Sequence, residues 1–479
     1  VLVTAPWNFP YAIPANGVCS ALAAGNSVLL KPAPEAVATA VELVRALHEA
    51  GIPRDVVQLT RCRDDEVGRH LITHDRIDTV VLTGSYATAQ MFLEWKPQLR
   101  LIGETSGKNS LVITGGADLD LALRDLGRSA FGHAGQKCSA ASLAIVEGSL
   151  YDDHDFLRRL ADTVRSIRVG KATDLATMMG PVVQLPADTL RRGLTDLDAG
   201  EHWLVEPKRL DATGRMWSPG VRLGVRSGSW FHRTEIFGPV LGVMRARDLD
   251  DALALQNDTE FGLTAGLHSL DPDEIHHWTE HVEVGNAYVN RHITGAIVQR
   301  QPFGGWKHSS VGPGAKTGGP NDILRFVRFA PVDASTPPRA IDASVLEPRD
   351  VAGLRAEQNL HRYQPLAKIV VRAVASTTPA ELDIVAQAAR VTGVMVDIAR
   401  ANEDDDALAR RLASTGAQRL RALGPISDPL ARAGHRAGIT IDDTAATGAA
   451  RVELPRWTRE QSISRTLHRH GRVQPQRPP

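Results

Sequence analysis

The stretch FGHAGQKCSAASLAIV, residues 131–146, carries a lone cysteine, Cys138, between a helical pattern and an apolar strand pattern. Gly132, Ala134 and Gly135 keep its approach free of bulk, so backbone there can come close to a bound molecule. A cysteine so placed is a candidate nucleophile. A free cysteine is more commonly a small buried hydrophobe, and the stretch alone leaves both readings open. Other chemistry-bearing residues recur where apolar runs end. Asn8 lies in APWNFP after VLVT, Lys31 in KPAPE after VLL, and Gly84 and Ser85 follow TVVLT. Glu104 stands in LIGETSGKN, bracketed by Gly103 and Gly107. Gly84 and Ser85 open a helical pattern, and the free N–H groups of a helix N-terminus suit phosphate. Taken singly, Glu104 also reads as a solvated turn carboxylate, Asn8 as a turn former and Lys31 as a terminal charge.

Patterning defines the elements that must position these residues. The strand-like runs VLVTAP, SVLLKP, DVVQL and TVVLTGS alternate with the helical stretches GVCSALAAG, EAVATAVELVRALHEAG, DEVGRHLI and ATAQMFLEW. Such alternation predicts a parallel sheet covered by helices, with ligands outside the carboxyl ends of the strands. The G-x-G-x-x-G fingerprint is absent at this position. A second α/β segment is expected over about residues 107–300, where Phe156, Leu157, Leu160, Val164 and Ile167 share one helical face. PFGGWKHSSVGPGAKTGGPND, residues 302–322, is too rich in glycine for regular structure and reads as a linker or a binding surface. Residues 330–350 read as a linker. KIVVRAV, TPAELDIVAQAARVTG, MVDIA and GITIDD form a small α/β unit beyond it, with Thr378 and Glu381 in capping-box register. The tail VQPQRPP reads as disordered.

Composition excludes several classes. The 479 residues suggest about two to four domains. Lys and Arg together number 55, matching 55 Asp and Glu, so no charge excess points to nucleic acid or an anionic membrane. The three cysteines, Cys19, Cys62 and Cys138, lack the spacing of a disulfide framework or zinc module and fit a reducing, cytoplasmic setting. Cys19 and Cys62 are assigned no catalytic role. The paired histidines of EIHHW and LHRHG lack partners at ligand spacing, so no metal site is expected. No apolar run approaches the roughly 18 residues of a membrane span. The chain opens on a buried-looking strand at Val1 without a leader, and reads as lacking its natural beginning.

PWNFP, KPAPE, LTGS, ETSGKN, FGHAGQKCSA, EIFGPV and PFGGWKHSSVG occur in the order found in the aldehyde dehydrogenase superfamily, a resemblance covering about residues 1–333. The glycine-rich stretch most resembles the L-glutamate γ-semialdehyde (Δ1-pyrroline-5-carboxylate) dehydrogenases, in particular the dehydrogenase module of bifunctional proline utilization A proteins. EQSISRTLHRHG, residues 460–471, resembles the end of their long forms. The resemblance implies a mixed α/β fold: a Rossmann cofactor domain (1–106), a catalytic domain (107–300) and a glycine-rich substrate loop returning to the cofactor domain (301–333). A linker (334–350), a noncatalytic α/β domain (351–471) and a disordered tail (472–479) follow.

The resemblance also implies the chemistry. The Cys138 thiolate attacks an aldehyde, and the oxyanion is held by the Asn8 amide and the Cys138 N–H. Hydride passes to a nicotinamide, and Glu104 activates water against the thioester. Pro6, Trp7, Lys31, Gly84, Ser85, Glu235 and Phe237 are implied for NAD, with Lys31 on the adenosine ribose, Gly84 and Ser85 on the pyrophosphate, Glu235 on the nicotinamide ribose and Phe237 beside the ring. Ser139, Gly312 and Pro313 are implied for the amino-acid end of the substrate, with Phe303 as an aromatic wall. Pro34 stands where many relatives carry glutamate, which leaves NADP open, and Ser106 stands where most carry glycine. A homo-oligomer and an upstream proline dehydrogenase domain are the implied partners. The rival readings are another small aldehyde as substrate, or an inactive truncated binding remnant.

Overall fold

In the computed structural model, which describes residues 1–331, 340–399, 403–469 and 471–473, the opening apolar run is strand β1 (Leu2–Ala5), buried along its length. It pairs in parallel with β2 (Val28–Pro32) on one side and β4 (Val80–Thr83) on the other. β3 (Val57–Leu59) continues the sheet beyond β2, and β5 (Leu101–Glu104) continues it beyond β4, again in parallel. The helices α1 (Ala12–Ala23), α2 (Val37–Glu49), α3 (Glu66–Thr73) and α4 (Tyr86–Trp95) supply the crossovers. Their apolar stripes explain the packing: α2 buries Ala40, Leu43 and Val44 at helical spacing against Val3, Leu30 and Val57.

The chain divides into two units. The first holds Val1–Thr105, Ser310–Arg349 and His361–Gln461; the second holds Ser106–Ser309, Asp350–Leu360 and Ser462–Pro479. The glycine-rich stretch is more regular than its composition suggests. Ser310–Val311 is a short strand antiparallel to β5, and Trp306–Lys307 pairs with Phe261–Gly262. Backbone pairing needs no side chain, so glycine neighbours do not prevent it. The first unit also contains a parallel sheet ordered Met395–Ile398, Lys368–Ala373, Arg419–Leu423 and Thr440–Asp442. Thr378 and Glu381 form the expected capping box on the helix Pro379–Thr392. Residues 334–339 of the expected linker and 474–479 of the expected tail lie outside the described residues.

The second unit is built on a longer sheet. From the strand Thr458–Thr466 the order runs Asn286–Val289, Thr264–His268, β6 (Asn109–Ile113), β7 (Ala141–Glu147), β10 (Val240–Ala246), β9 (Gly220–Leu223) and β8 (His202–Val205). All these pairings are parallel except that of β8 with β9. Helix α5 (Leu119–Phe131) and the helix His154–Arg165 cover one face. Phe156, Leu160 and Val164 are buried there, and Leu157 and Ile167 pack against the same cluster, as the periodicity predicts.

Candidate active site

In the first unit, parallel register gathers residues far apart in sequence. Thr4 of β1 stands opposite Lys31 and Leu82, and Thr83 opposite Glu104. The turn carrying Pro6, Trp7 and Asn8 leaves the carboxyl end of β1, and Gly84 and Ser85 leave that of β4. These residues therefore share one edge with Lys31 and Glu104. Asn8 is buried, whereas Pro6 and Trp7 are half-buried. The Gly84 N–H donates to the Glu104 carbonyl at 3.1 Å. The Ser85 side chain caps α4 by accepting from the Thr88 N–H at 3.0 Å. Lys31 is not a loose terminal charge: its stem is mostly buried and its Nζ lies 2.6 Å from the exposed Asp64 carboxylate.

Gly312 and Pro313 follow the strand paired to β5. Gly312 has φ +91°, and a Cβ there would stand 1.9 Å from the Leu101 carbonyl oxygen, so close backbone packing by itself demands glycine.

In the second unit, Cys138 lies between α5 and β7, just before the amino end of that strand. The chain reaches it through a left-handed turn: φ is +60° at His133, +54° at Ala134 and +67° at Gly135. Two of these are not glycine, and each such residue costs on the order of 1–3 kcal/mol. A Cβ on Gly135 would come within 2.2 Å of the Gly238 carbonyl oxygen, so this bend and the EIFGPV loop lie backbone against backbone. Phe237 in that loop is itself left-handed, at φ +56°.

Asn109, at the start of β6, fixes the backbone around Cys138. Its Nδ2 donates to the Cys138 carbonyl at 2.6 Å and the Ala140 carbonyl at 3.0 Å, while its Oδ1 accepts from the Thr264 N–H at 3.0 Å. Cys138 is half-buried, and Ser139 is buried with its carbonyl accepting from Thr264 Oγ1 at 3.3 Å. Lys137 is pulled below its ordinary value by burial and by Arg128, with the charge of Cys138 acting the other way. Ammonium and thiol thus sense each other.

Glu235 accepts the Gly107 N–H at 2.8 Å. Burial raises its carboxyl above the ordinary range, against the hydrogen bonds from Gly107 and Ser106 and the charge of Lys108. Ser106 therefore has a partner that glycine would not supply. Lys108 is buried with its Nζ donating to Ser142 Oγ at 2.6 Å and lying 4.3 Å from the centre of the Phe231 ring. Burial holds it well below the usual lysine range. Phe303 is partly exposed, and Asn286 clamps its neighbours: Nδ2 donates to the Pro302 carbonyl at 3.0 Å and Oδ1 accepts from the Gly304 N–H at 3.2 Å.

The candidates thus form two groups. Pro6, Trp7, Asn8, Lys31, Gly84, Ser85, Glu104, Gly312 and Pro313 belong to the first unit, and Cys138, Ser139, Glu235, Phe237 and Phe303 to the second. The sequence does not mark Asn109, Asn286 or Asp64, because only the folded chain shows what their side chains hold. Among the described residues no cluster of His, Cys, Asp and Glu could hold a metal ion, and no helix is long and apolar enough to cross a membrane.

The aldehyde dehydrogenase family profile matches residues 1–330, and the chain belongs to that family. Within it, proline utilization A from Corynebacterium freiburgense is similar along nearly the whole chain: 42% identity and a TM-score of 0.87, covering 98% of this chain and 50% of that one. The 1-pyrroline-5-carboxylate dehydrogenase of Staphylococcus epidermidis is 36% identical over 67% of this chain and 63% of its own length. The Thermus 1-pyrroline-5-carboxylate dehydrogenase structure with bound NAD is also 36% identical, with a TM-score of 0.63, covering 68% of this chain and 64% of that one. The chain therefore spans about 63% of the length of the curated relatives it matches.

Proposed function

We propose that this chain carries an NAD-dependent oxidation of L-glutamate γ-semialdehyde to L-glutamate, the second step of proline catabolism. The observation that carries the reading is the anchored Cys138 bend: a half-buried thiol on a glycine-flanked turn, its carbonyl tied down by Asn109 and a lysine beside it. The relatives named 1-pyrroline-5-carboxylate dehydrogenase and proline utilization A support the choice of aldehyde.

Cys138 Sγ bonds to the aldehyde carbon, and the carbonyl oxygen becomes an oxyanion bound by the Asn8 side-chain amide and the Cys138 N–H. A donor of this kind contributes about 2.7–4 kcal/mol. NAD, when bound, would supply the acceptor for the hydride released from that carbon. Glu104 then takes a proton from the water that attacks the resulting thioester, releasing glutamate and the Cys138 thiolate. The chain's own residues suit a dinucleotide: α4 starts at the sheet edge with Gly84 and Ser85, and Lys31 stands on the neighbouring strand edge. Ser85 and the α4 N-terminus take the pyrophosphate, Lys31 a ribose, and Glu235 and Phe237 the nicotinamide end. Pro6 and Trp7 complete the cofactor side, with NADP as the alternative to NAD. Ser139, Gly312 and Pro313 hold the amino-acid end of the substrate beside Phe303.

A bifunctional setting with a proline dehydrogenase domain, in a cytoplasmic homo-oligomer, is part of this proposal; the proline utilization A neighbour, only half covered by this chain, supports a longer protein around the dehydrogenase part and nothing finer. The test is reduction of NAD by glutamate semialdehyde, with Cys138→Ala and simple aliphatic aldehydes as comparisons. Loss of turnover in Cys138→Ala and a preference for glutamate semialdehyde support the reading. Equal rates on aliphatic aldehydes would replace the substrate, and no turnover by folded protein would leave a binding remnant.

A further inference from the structure

Lys316 is the strongest chemical feature that this reading leaves unused. It lies in the glycine-rich segment, six residues beyond Ser310, whose strand pairs with β5 at Glu104. Only 1% of Lys316 is exposed. An ammonium carried so deep is unfavourable unless anions compensate. Two do: the charges of Glu104 and Glu460 both act on it. Glu460 also reaches the same residue through its backbone, accepting the Lys316 N–H at 3.4 Å.

Glu460 is a fixed anchor. It accepts from Asn321 Nδ2 at 2.9 Å and lies 2.9 Å from His361 Nε2. Asn321 Nδ2 also donates to the Tyr363 hydroxyl at 2.8 Å. His361 and Tyr363 come from the strand Glu357–Pro365, and Glu460 from the strand Thr458–Thr466. Both strands lie beyond the residues matched by the family profile, whereas Glu104 and Lys316 lie within them. One buried charge thus joins the candidate base to the C-terminal strands, and every member of the chain Glu104, Lys316, Glu460 and His361 belongs to the first unit.

We propose that Lys316, anchored by Glu460, is a positioning residue for thioester hydrolysis, its ammonium holding Glu104 as the carboxylate that takes the proton from water. The inference rests on Glu104 being the base of the dehydrogenase reaction. Burial lowers Lys316 to about 7, with Glu104 and Glu460 acting in the opposite direction. The ammonium is therefore present below about neutral pH and is lost above it. Removing this cation makes Glu104 harder to ionise, so the acid limb of hydrolysis moves to higher pH.

The test uses the full chain, with NAD and glutamate semialdehyde. Formation and decay of the thioester on Cys138 are followed by rapid quench and mass spectrometry across pH, in the parent, Lys316→Met, Lys316→Arg and Glu460→Gln. In Lys316→Met the thioester should form at the parental rate and decay about tenfold more slowly on the acid limb, corresponding to a shift of about one pH unit. Lys316→Arg should recover most of the decay rate. Glu460→Gln keeps the lysine and serves if Lys316→Met fails to fold; it should alter decay in the same direction, by less. A decay profile unchanged in both Lys316→Met and Glu460→Gln would overturn the proposal, as would formation and decay slowing in parallel, which is what a purely structural lysine produces. A parent that forms no thioester would instead overturn the dehydrogenase reading, and this inference with it.

Discussion

The two sheets present their chemistry at opposite ends. In the first unit Asn8, Lys31, Gly84, Ser85 and Glu104 sit at or beyond the carboxyl ends of β1, β2, β4 and β5. In the second, Cys138 precedes β7, Phe237 precedes β10, and Asn109 and Asn286 begin their strands at the amino ends. The difference teaches how each group must be held. At the carboxyl ends of β1 and β4, turns lead into α1 and α4, and the N–H groups of a helix N-terminus favour anions with little further help. At amino ends that assistance is missing. The second unit uses buried asparagine clamps and left-handed turns instead, and these are local, strained and intolerant of change.

The comparison predicts unequal sensitivity. The largest effect belongs to Asn109→Ala, which strands the Cys138 and Ala140 carbonyls and the Thr264 N–H. Each buried group left unpaired costs about 1–3 kcal/mol. Denaturant unfolding should show a loss of about 3 kcal/mol, and kcat should fall on the order of 100-fold; a variant within about 1 kcal/mol of the parent would break the contrast.

Acid should also weaken the second unit. Burial lowers His268 there from its ordinary 6.5 to about 4. Its folded value lies below its unfolded one, so the unfolded chain takes up a proton first and stability falls as pH drops from 6.5 towards 4. The loss reaches about 3 kcal/mol at the lower end. His268→Gln should flatten that slope in pH-dependent melting, although it introduces an amide at a fully buried site.

The first unit should respond more mildly. Lys31→Met removes the Nζ that pairs with exposed Asp64, and the account expects the NAD KM to rise roughly tenfold with kcat nearly unchanged, equivalent to about 1.4 kcal/mol. A kcat effect as large as that of Asn109→Ala would erase the distinction between the units. Smallest is Ser85→Ala, which loses the α4 cap and about 1 kcal/mol, read as a small shift in Tm.

Legibility in the sequence follows the same division. The alternation of VLVTAP, SVLLKP and TVVLTGS with helical stretches identifies a parallel sheet, and the residues at its strand ends follow directly. The amino-end devices leave little trace. Nothing in SGKN shows that the Asn109 amide will tie the chain 29 residues further on. Glycines mark the bend before Cys138, but the left-handed His133 and Ala134 are set by packing. The strand Thr458–Thr466 escapes hydropathy because it buries Glu460, Gln461, Ser462 and Ser464, and its partner Asn286–Val289 is distant in sequence. Arg419–Leu423 is hidden similarly, by two arginines that the fold buries beside Asp442 and Glu453.

The most direct test of the central claim is to find the covalent bond. The protein would be mixed with glutamate semialdehyde and NAD, quenched within the first turnover, digested, and its cysteine peptides weighed. A glutamyl adduct should form on Cys138, with exposed Cys19 and half-buried Cys62 unmodified. Reduced cofactor appearing with no adduct on Cys138, or undiminished turnover by Cys138→Ala, would contradict it.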